Sequence, residues 1–277
     1  MDIKYFCAWW GLDHLGMEGM LHKIKEAGFD GVEVFAPLEA EERELLKRLL
    51  EELELELIIH QYRADGQFKE YCSTFKEELG LAASLKPVLI NSHTGRDYWS
   101  MDENGRLIEI AADIESSTGV KIVHETHRGR FPFCAPVSKL YFDRYPEMRI
   151  SADLSHWVVV SESLLEGQEQ TIEMAILRTE HIHARVGFAE GPQISDPRSP
   201  EWAKEMSVFT SWWQRVVDRF LEENRPILTI TPEFGPIPYS WTVPFTGLPM
   251  TDFFDINVYM KDYLKNNLHT GPSYPQE

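Results

Sequence analysis

Cysteine is scarce in this sequence, and the three present, Cys7, Cys72 and Cys134, are far apart and in no CxxC arrangement. An odd, scattered set argues against a disulfide framework and against a cysteine zinc site, so reduced thiols and a cytoplasmic location are expected. Positive charge is also short: 27 Lys and Arg against 45 Asp and Glu leave a formal charge of −18. Such a chain repels polyanions, and no nucleic-acid partner is expected. Nowhere do ~18 apolar residues run together, and Met1-Asp2-Ile3-Lys4-Tyr5-Phe6 contains no basic region leading into an apolar stretch. Neither a membrane span nor a signal peptide is expected. The sequence has no G-x-S-x-G elbow, no P-loop and no G-x-G-x-x-G fingerprint, which leaves serine hydrolase, NTPase and Rossmann dehydrogenase without support. No Ser/Gly linker or composition shift divides the chain, so residues 1–277 read as one domain with an irregular C-terminal tail over 270–277.

What is present suits a large core: 43% of the 277 residues are hydrophobic and 12% aromatic. Short runs rich in β-branched residues fall near 3–8, 31–35, 55–60, 87–92, 121–125, 149–153, 180–184 and 227–232. Segments of helical period alternate with them, near 17–27, 40–53, 67–84, 106–118, 136–144, 164–177, 201–223 and 252–267. Eight such pairs predict an α/β fold, a single (β/α)8 TIM barrel of eight parallel strands ringed by helices, an architecture that takes ~250 residues. In the second helix Leu45, Leu46, Leu49, Leu50 and Leu53 share one stripe while Glu41, Glu42, Glu44, Lys47, Arg48, Glu51 and Glu52 fill the other face, which reads as a wet helix surface. Gly28 and Gly119 are expected to cap helices just before strands.

In a barrel of this kind the working residues come from the carboxyl ends of the strands, because every βα loop opens on one face. Seven consecutive strands here finish on a polar residue: Glu33, His60, His93, Glu125, Asp153, His183 and Glu233. Any one of these has a plain explanation, since a lone strand-end His is more often a hydrogen-bonded structural residue than a ligand. Together they need an offset for desolvation and mutual repulsion, and two Glu, one Asp and one imidazole make a mixed oxygen and nitrogen set suited to Mn2+, Mg2+, Co2+ or Zn2+. His124-Glu125-Thr126-His127 is not the zinc-protease helix motif, since its histidines are three apart and Ile122-Val123 before it reads as strand.

The most specific pattern is the order Glu, Asp-x-x-His, His, Glu over strands five to eight, met by Glu125, Asp153-Leu154-Ser155-His156, His183 and Glu233. In this the sequence resembles the sugar phosphate isomerase/epimerase group of the xylose isomerase-like superfamily, which also includes ketose 3-epimerases, hydroxypyruvate isomerase, inosose dehydratase and endonuclease IV. The resemblance implies that Glu125, Asp153, His183 and Glu233 ligate one divalent metal ion, and that His156 and Arg185 bind substrate oxygens. It further implies that His60 and His93 contact substrate, or hold additional zinc as in endonuclease IV. The plainer roles are a helix cap for Asp153, a loop contact for His156, an ion pair with Glu190 or Asp196 for Arg185, and a rim salt bridge for Glu33 instead of a sugar contact. The stretch from His183 to Pro192 departs from that of well-studied epimerases, so their substrates are not carried over.

Trp9, Trp10, Trp99, Trp157 and Trp241 fall at or near the loop face, where aromatic walls suit the C–H faces of a sugar; Trp9 and Trp157 are expected to line the substrate site. Pro232 and Pro236 flank Glu233 and Gly235, a rigid mount for a base. The expected reaction is isomerisation or epimerisation of a small sugar or polyol through a metal-bound enediolate, with Glu125 and Glu233 as the acid/base pair. Dehydration of an inosose or sugar acid on the same site, a noncatalytic sugar-binding barrel and metal-dependent phosphodiester cleavage are the competing readings. No Gly-rich phosphate loop or Arg/Lys cluster near strands seven and eight calls for a phosphorylated substrate. A homo-oligomer is compatible with the sequence, with aromatic loops after strands four and eight placed to close a neighbour's pocket.

Overall fold

Runs of β-branched residues separated by amphipathic segments can bury both faces only as a parallel sheet with helices outside it. The computed structural model, which describes residues 1–271, has this arrangement. Strands β1 (Asp2–Ala8), β2 (Gly31–Val34), β3 (Glu56–Gln61), β4 (Leu89–Ser92), β5 (Ile122–Glu125), β6 (Ile150–Ala152), β7 (Thr179–His183) and β8 (Ile227–Thr231) pair in chain order. β8 closes on β1, with Asp2 opposite Ile227 and Tyr5 opposite Ile230, so the sheet is a closed all-parallel barrel.

Nine helices surround it among the described residues: α1 (Gly16–Glu26), α2 (Ala40–Leu53), α3 (Phe68–Ser84), α4 (Met101–Thr118), α5 (Ala135–Arg144), α6 (Leu154–Val160), α7 (Glu169–Ile176), α8 (Ala203–Glu222) and α9 (Phe253–Asn267). None is long and apolar enough to cross a membrane. The expected irregular tail over 270–277 lies outside the described residues from 272 onward.

Two helix boundaries differ from the sequence expectation. α4 begins at Met101, not near 106, because Ser100 and Glu103 form a reciprocal capping box. Asn104 and Gly105 look like loop residues, but Asn104 is buried and donates to the carbonyl oxygens of Arg96 and Trp99. The helix expected over 164–177 starts only at Glu169, as α7, and a short α6 that the sequence reading did not anticipate precedes it, capped by Asp153, which accepts from Ser155 N.

Residues two apart on a strand face the same side. Ile58 and His60, Leu89 and Asn91, Val123 and Glu125 are such pairs, and Phe6, Ile58, Leu89 and Val123 form a buried cluster separate from the core between sheet and helices. An apolar layer thus sits beneath the polar strand ends. Each of these side chains contributes about 1.5–3 kcal/mol on burial.

Candidate functional site

Glu125 closes β5 and His183 closes β7, while Asp153 and Glu233 follow β6 and β8 by one and two residues. Side-chain donor atoms of these four, all buried, lie within 4.8 Å of one another. The gap from Thr231 to Glu233 is spanned by Pro232, which restricts the backbone that presents the carboxylate.

His183 is the pivot of the set. Its Nδ1 is 2.7 Å from Glu233 Oε2 and 3.5 Å from Glu125 Oε2. Despite the short separation, Nδ1 has no aligned hydrogen-bond acceptor, and Glu125 Oε1, 3.1 Å from His93 Nε2, is likewise unpartnered. The close but misaligned contact with Glu233 leaves the His183 nitrogen unsatisfied in a position where it could ligate. Buried unpaired polar atoms are costly, and two Glu, one Asp and one imidazole are the ligands that hard and borderline divalent ions take. On both counts the residues fit a divalent cation.

The charges agree. Burial pushes the Asp153 carboxyl up against the pull of Arg185, and the neighbouring Glu233 and Glu125 push the same way. Burial alone would lower His183, but Glu233, Glu33 and Glu125 hold its imidazole well above the ordinary histidine value. Three carboxylates in one dry cluster take up a proton or a cation, and a resident ion would offset the charge that these protons offset here.

Glu33 is not a rim residue; it is engaged beneath the cavity that it also helps to line. It is buried, accepts from Thr231 Oγ1 at 2.7 Å and from Asn91 Nδ2 at 3.0 Å, and both of its oxygens lie 3.0 Å from His183 Nε2. Burial would raise its carboxyl, yet the neighbouring imidazoles of His183, His181 and His60 hold it well below the usual carboxylate range. Its main contact is therefore the far side of a candidate ligand. Asn91, which the sequence did not single out, joins the network by donating to Glu125 Oε2 at 2.6 Å. Only its inward register opposite His60 could have marked it.

Above the quartet opens a cavity of about 210 Å³. It is lined by the aromatic rings of Trp9, Trp10, Phe35, Tyr62 and Tyr239 together with His60, His93 and His127 and the charged Glu125, Glu233, Glu33 and Arg185. Gly235 makes room for these rings, since a Cβ there would lie 2.3 Å from the Trp10 ring. Arg185 is buried and donates from Nε to Asp153 Oδ2 at 3.1 Å and from Nη2 to Glu233 Oε2 at 2.5 Å, with its guanidinium 4.4 Å from the Tyr239 ring. Only Nη1 is left without a protein acceptor. Neither Glu190 nor Asp196 is its partner; Asp196 pairs with Arg198.

Trp157 corrects an expectation. It sits on α6, is fully buried, donates from Nε1 to Pro132 O at 2.8 Å and does not line the cavity. Trp99 packs on Phe68 and Tyr71, and Trp241 on Phe188 and Trp202. His156 is also fully buried and absent from the cavity wall; the wall residue beside it is His127, with ring centroids 4.0 Å apart. Tyr239, Phe35, Tyr62 and His127 had no sequence signal beyond their place in loops after strands.

A family model described as a xylose isomerase-like TIM barrel matches residues 21–193. No sequence among curated proteins matches the chain. Among solved structures, a D-allulose 3-epimerase from Methylomonas sp. superposes with TM-score 0.65 at 15% identity, covering 96% of this chain and 98% of that one. A probable 3-DHS dehydratase from Bacillus anthracis gives TM-score 0.60 at 15% identity, over 95% and 99%. Endonuclease IV from Thermus thermophilus gives 0.55 at 14%, over 84% and 93%. At these identities the likeness is one of fold.

Proposed function

This chain belongs to the xylose isomerase-like TIM barrel family, and on that premise we propose that it is a divalent-metal-dependent isomerase or epimerase of a small, unphosphorylated sugar or polyol. The observation that carries this reading is the convergence of Glu125, Asp153, His183 and Glu233 within 4.8 Å beside an aromatic-walled cavity. The name of the Methylomonas relative, a D-allulose 3-epimerase, supports the substrate class.

A cation in the quartet, Mn2+, Mg2+, Co2+ or Zn2+, would supply Lewis acidity toward a carbonyl oxygen and its neighbouring hydroxyl. The chain's own residues do the rest. Glu125 and Glu233 both reach the cavity from separate strands, so one carboxylate removes a carbon-bound proton and the other returns it. Arg185 holds Glu233 by one nitrogen and offers Nη1 to a substrate oxygen. His60 and His93 offer ring nitrogens to hydroxyls, and the Trp9, Trp10 and Tyr239 wall covers C–H faces and excludes water.

Calorimetric Mn2+ titration of chelator-treated protein, beside folded Asp153→Ala and His183→Ala variants, tests the centre. Tight binding in the parent, lost in both variants, justifies a screen of ketoses, aldoses and inososes for deuterium uptake from solvent. Uptake with an isomerised or epimerised product supports the proposal, whereas an unsaturated product assigns a dehydratase. A folded parent that binds neither Mn2+ nor Zn2+ refutes it in favour of a noncatalytic barrel.

A further inference from the structure

Gln61, Ser92 and His124 alternate along β3, β4 and β5 with His60, Asn91 and Glu125, and so face the helices and not the lumen. With Thr94 they make a buried polar chain on the outside of the barrel. Gln61 Nε2 donates to Glu78 Oε2 on α3 at 2.7 Å, and Ser92 Oγ donates to Gln61 Oε1 at 2.7 Å. Thr94 Oγ1 lies 2.7 Å from Ser92 Oγ on one side and 2.7 Å from His124 Nδ1 on the other.

Every proton in this chain can be placed from its acidic end. Glu78 accepts from the backbone N–H groups of Tyr62, Arg63 and Ala64 as well, so Gln61 must turn its amide nitrogen toward it. Gln61 Oε1 then takes the one Ser92 proton, Thr94 has to donate to Ser92, and Thr94 is left only an acceptor toward His124. His124 therefore carries its proton on Nδ1. No carboxylate pairs with this buried ring among the described residues, so it is neutral and Nε2 bears a lone pair.

That lone pair has no protein partner among the described residues, yet Nε2 is not one of the enclosed unpaired atoms, so the small exposed part of His124 includes it. The surface that His124 lines is a cavity of about 300 Å³ between α4 and the turn from α5 to β6. Ile108, Ala111, Ala112, Ile122 and Met148 make its lining largely apolar. The charges around it are engaged elsewhere: Arg144 with Asp102, Arg149 with Glu147 and two carbonyl oxygens, Glu109 with Arg106, and Glu115 with the N–H of Ile122. His124 Nε2 is the polar atom left to recognise a ligand, and it can only accept.

We propose that this outer cavity is a binding site for a neutral apolar ring carrying one hydroxyl group, which donates to His124 Nε2. An apolar pocket with a few placed polar groups is how small-molecule sites combine affinity with orientation. The site lies across the β5 wall from Glu125 and does not depend on the quartet's holding a cation.

Its test sets phenol against anisole, the methyl ether that lacks the donor. Each is titrated into the full chain by calorimetry, in the parent and in His124→Phe, and the parent's histidine rings are followed by long-range proton–nitrogen correlation spectra. The free protein is expected to show the His124 proton on Nδ1. Phenol is expected to saturate, to move the His124 Nε2 resonance and to bind about tenfold tighter than anisole, a difference that His124→Phe erases. A proton on Nε2 in the free protein, no saturable binding of phenol, or equal affinity for phenol and anisole in the parent overturns the inference. So does phenol binding that leaves His124 Nε2 unmoved, which places the ring elsewhere. The spectra read the parent itself, so a variant that fails to fold does not spare the proposal.

Discussion

The Nε2 atom of His183 lies 3.0 Å from each carboxylate oxygen of Glu33, while its Nδ1 faces Glu233 and Glu125. A carboxylate on the far nitrogen fixes the tautomer, turns the ring and makes the near nitrogen a better ligand. Glu33→Gln keeps the shape and removes the charge. It is expected to leave the fold intact and weaken cation binding about 10–100-fold, read by calorimetric titration; unchanged affinity would show that Glu33 does not orient the ligand.

Glu233→Gln separates holding the cation from moving the proton. An amide oxygen can still ligate but cannot accept a proton, so the variant is expected to bind Mn2+ while solvent deuterium uptake into substrate falls about 10²–10⁴-fold. Uptake at the parental rate would refute its role as acid/base.

At the opposite face Glu180, almost fully buried on β7, is held by Lys121 and by Arg225, whose Nη1 is 2.9 Å and Nη2 2.5 Å from its oxygens. Burial would raise its carboxyl, but these hydrogen bonds bring it down to about 2. A depressed carboxylate stabilises the folded state above the ordinary carboxylate range, and that stability is lost as pH falls through the folded value. Glu180→Gln is therefore expected to destabilise by a few kcal/mol at pH 7. The difference from the parent in denaturant titrations should shrink from about pH 4.5 toward 2; a pH-independent difference would mean that the ion pairs are not its source.

Gly235→Ala tests the aromatic wall alone. The added Cβ meets the Trp10 ring and must displace it. Cation affinity is expected to persist while the substrate's KM rises several-fold, measured by steady-state kinetics beside metal titration. A loss of metal binding instead would mean that the wall and the centre are mechanically one unit.

The barrel was legible because alternation of apolar strands with amphipathic segments has few other solutions, and the polar strand ends were legible because a (β/α)8 fold sends them all to one face. Asn91 and His127 were not, because their importance comes from neighbours far along the chain: Asn91 links Glu33 and Glu125, and His127 lines the cavity beside His93. Trp157 failed for the complementary reason. Its position near a strand end is a sequence property, but its direction is set in three dimensions, where it lies on the short α6 with the indole buried against Pro132 O. Likewise Ser100 and Glu103 signalled the start of α4, and Asn104 and Gly105 after them masked it.

The layering inside the barrel bears on how such a site can change over time. Residues at His60, Asn91 and Glu125 share a side with Ile58, Leu89 and Val123 beneath them. Inserting or deleting one residue within a strand would exchange its inward and outward sets, sending ligands toward the helices and helix-facing side chains into the lumen. New chemistry can therefore arise here by point replacement at strand ends or by growth of the loops beyond them, whereas single-residue length changes within the strands are closed to selection.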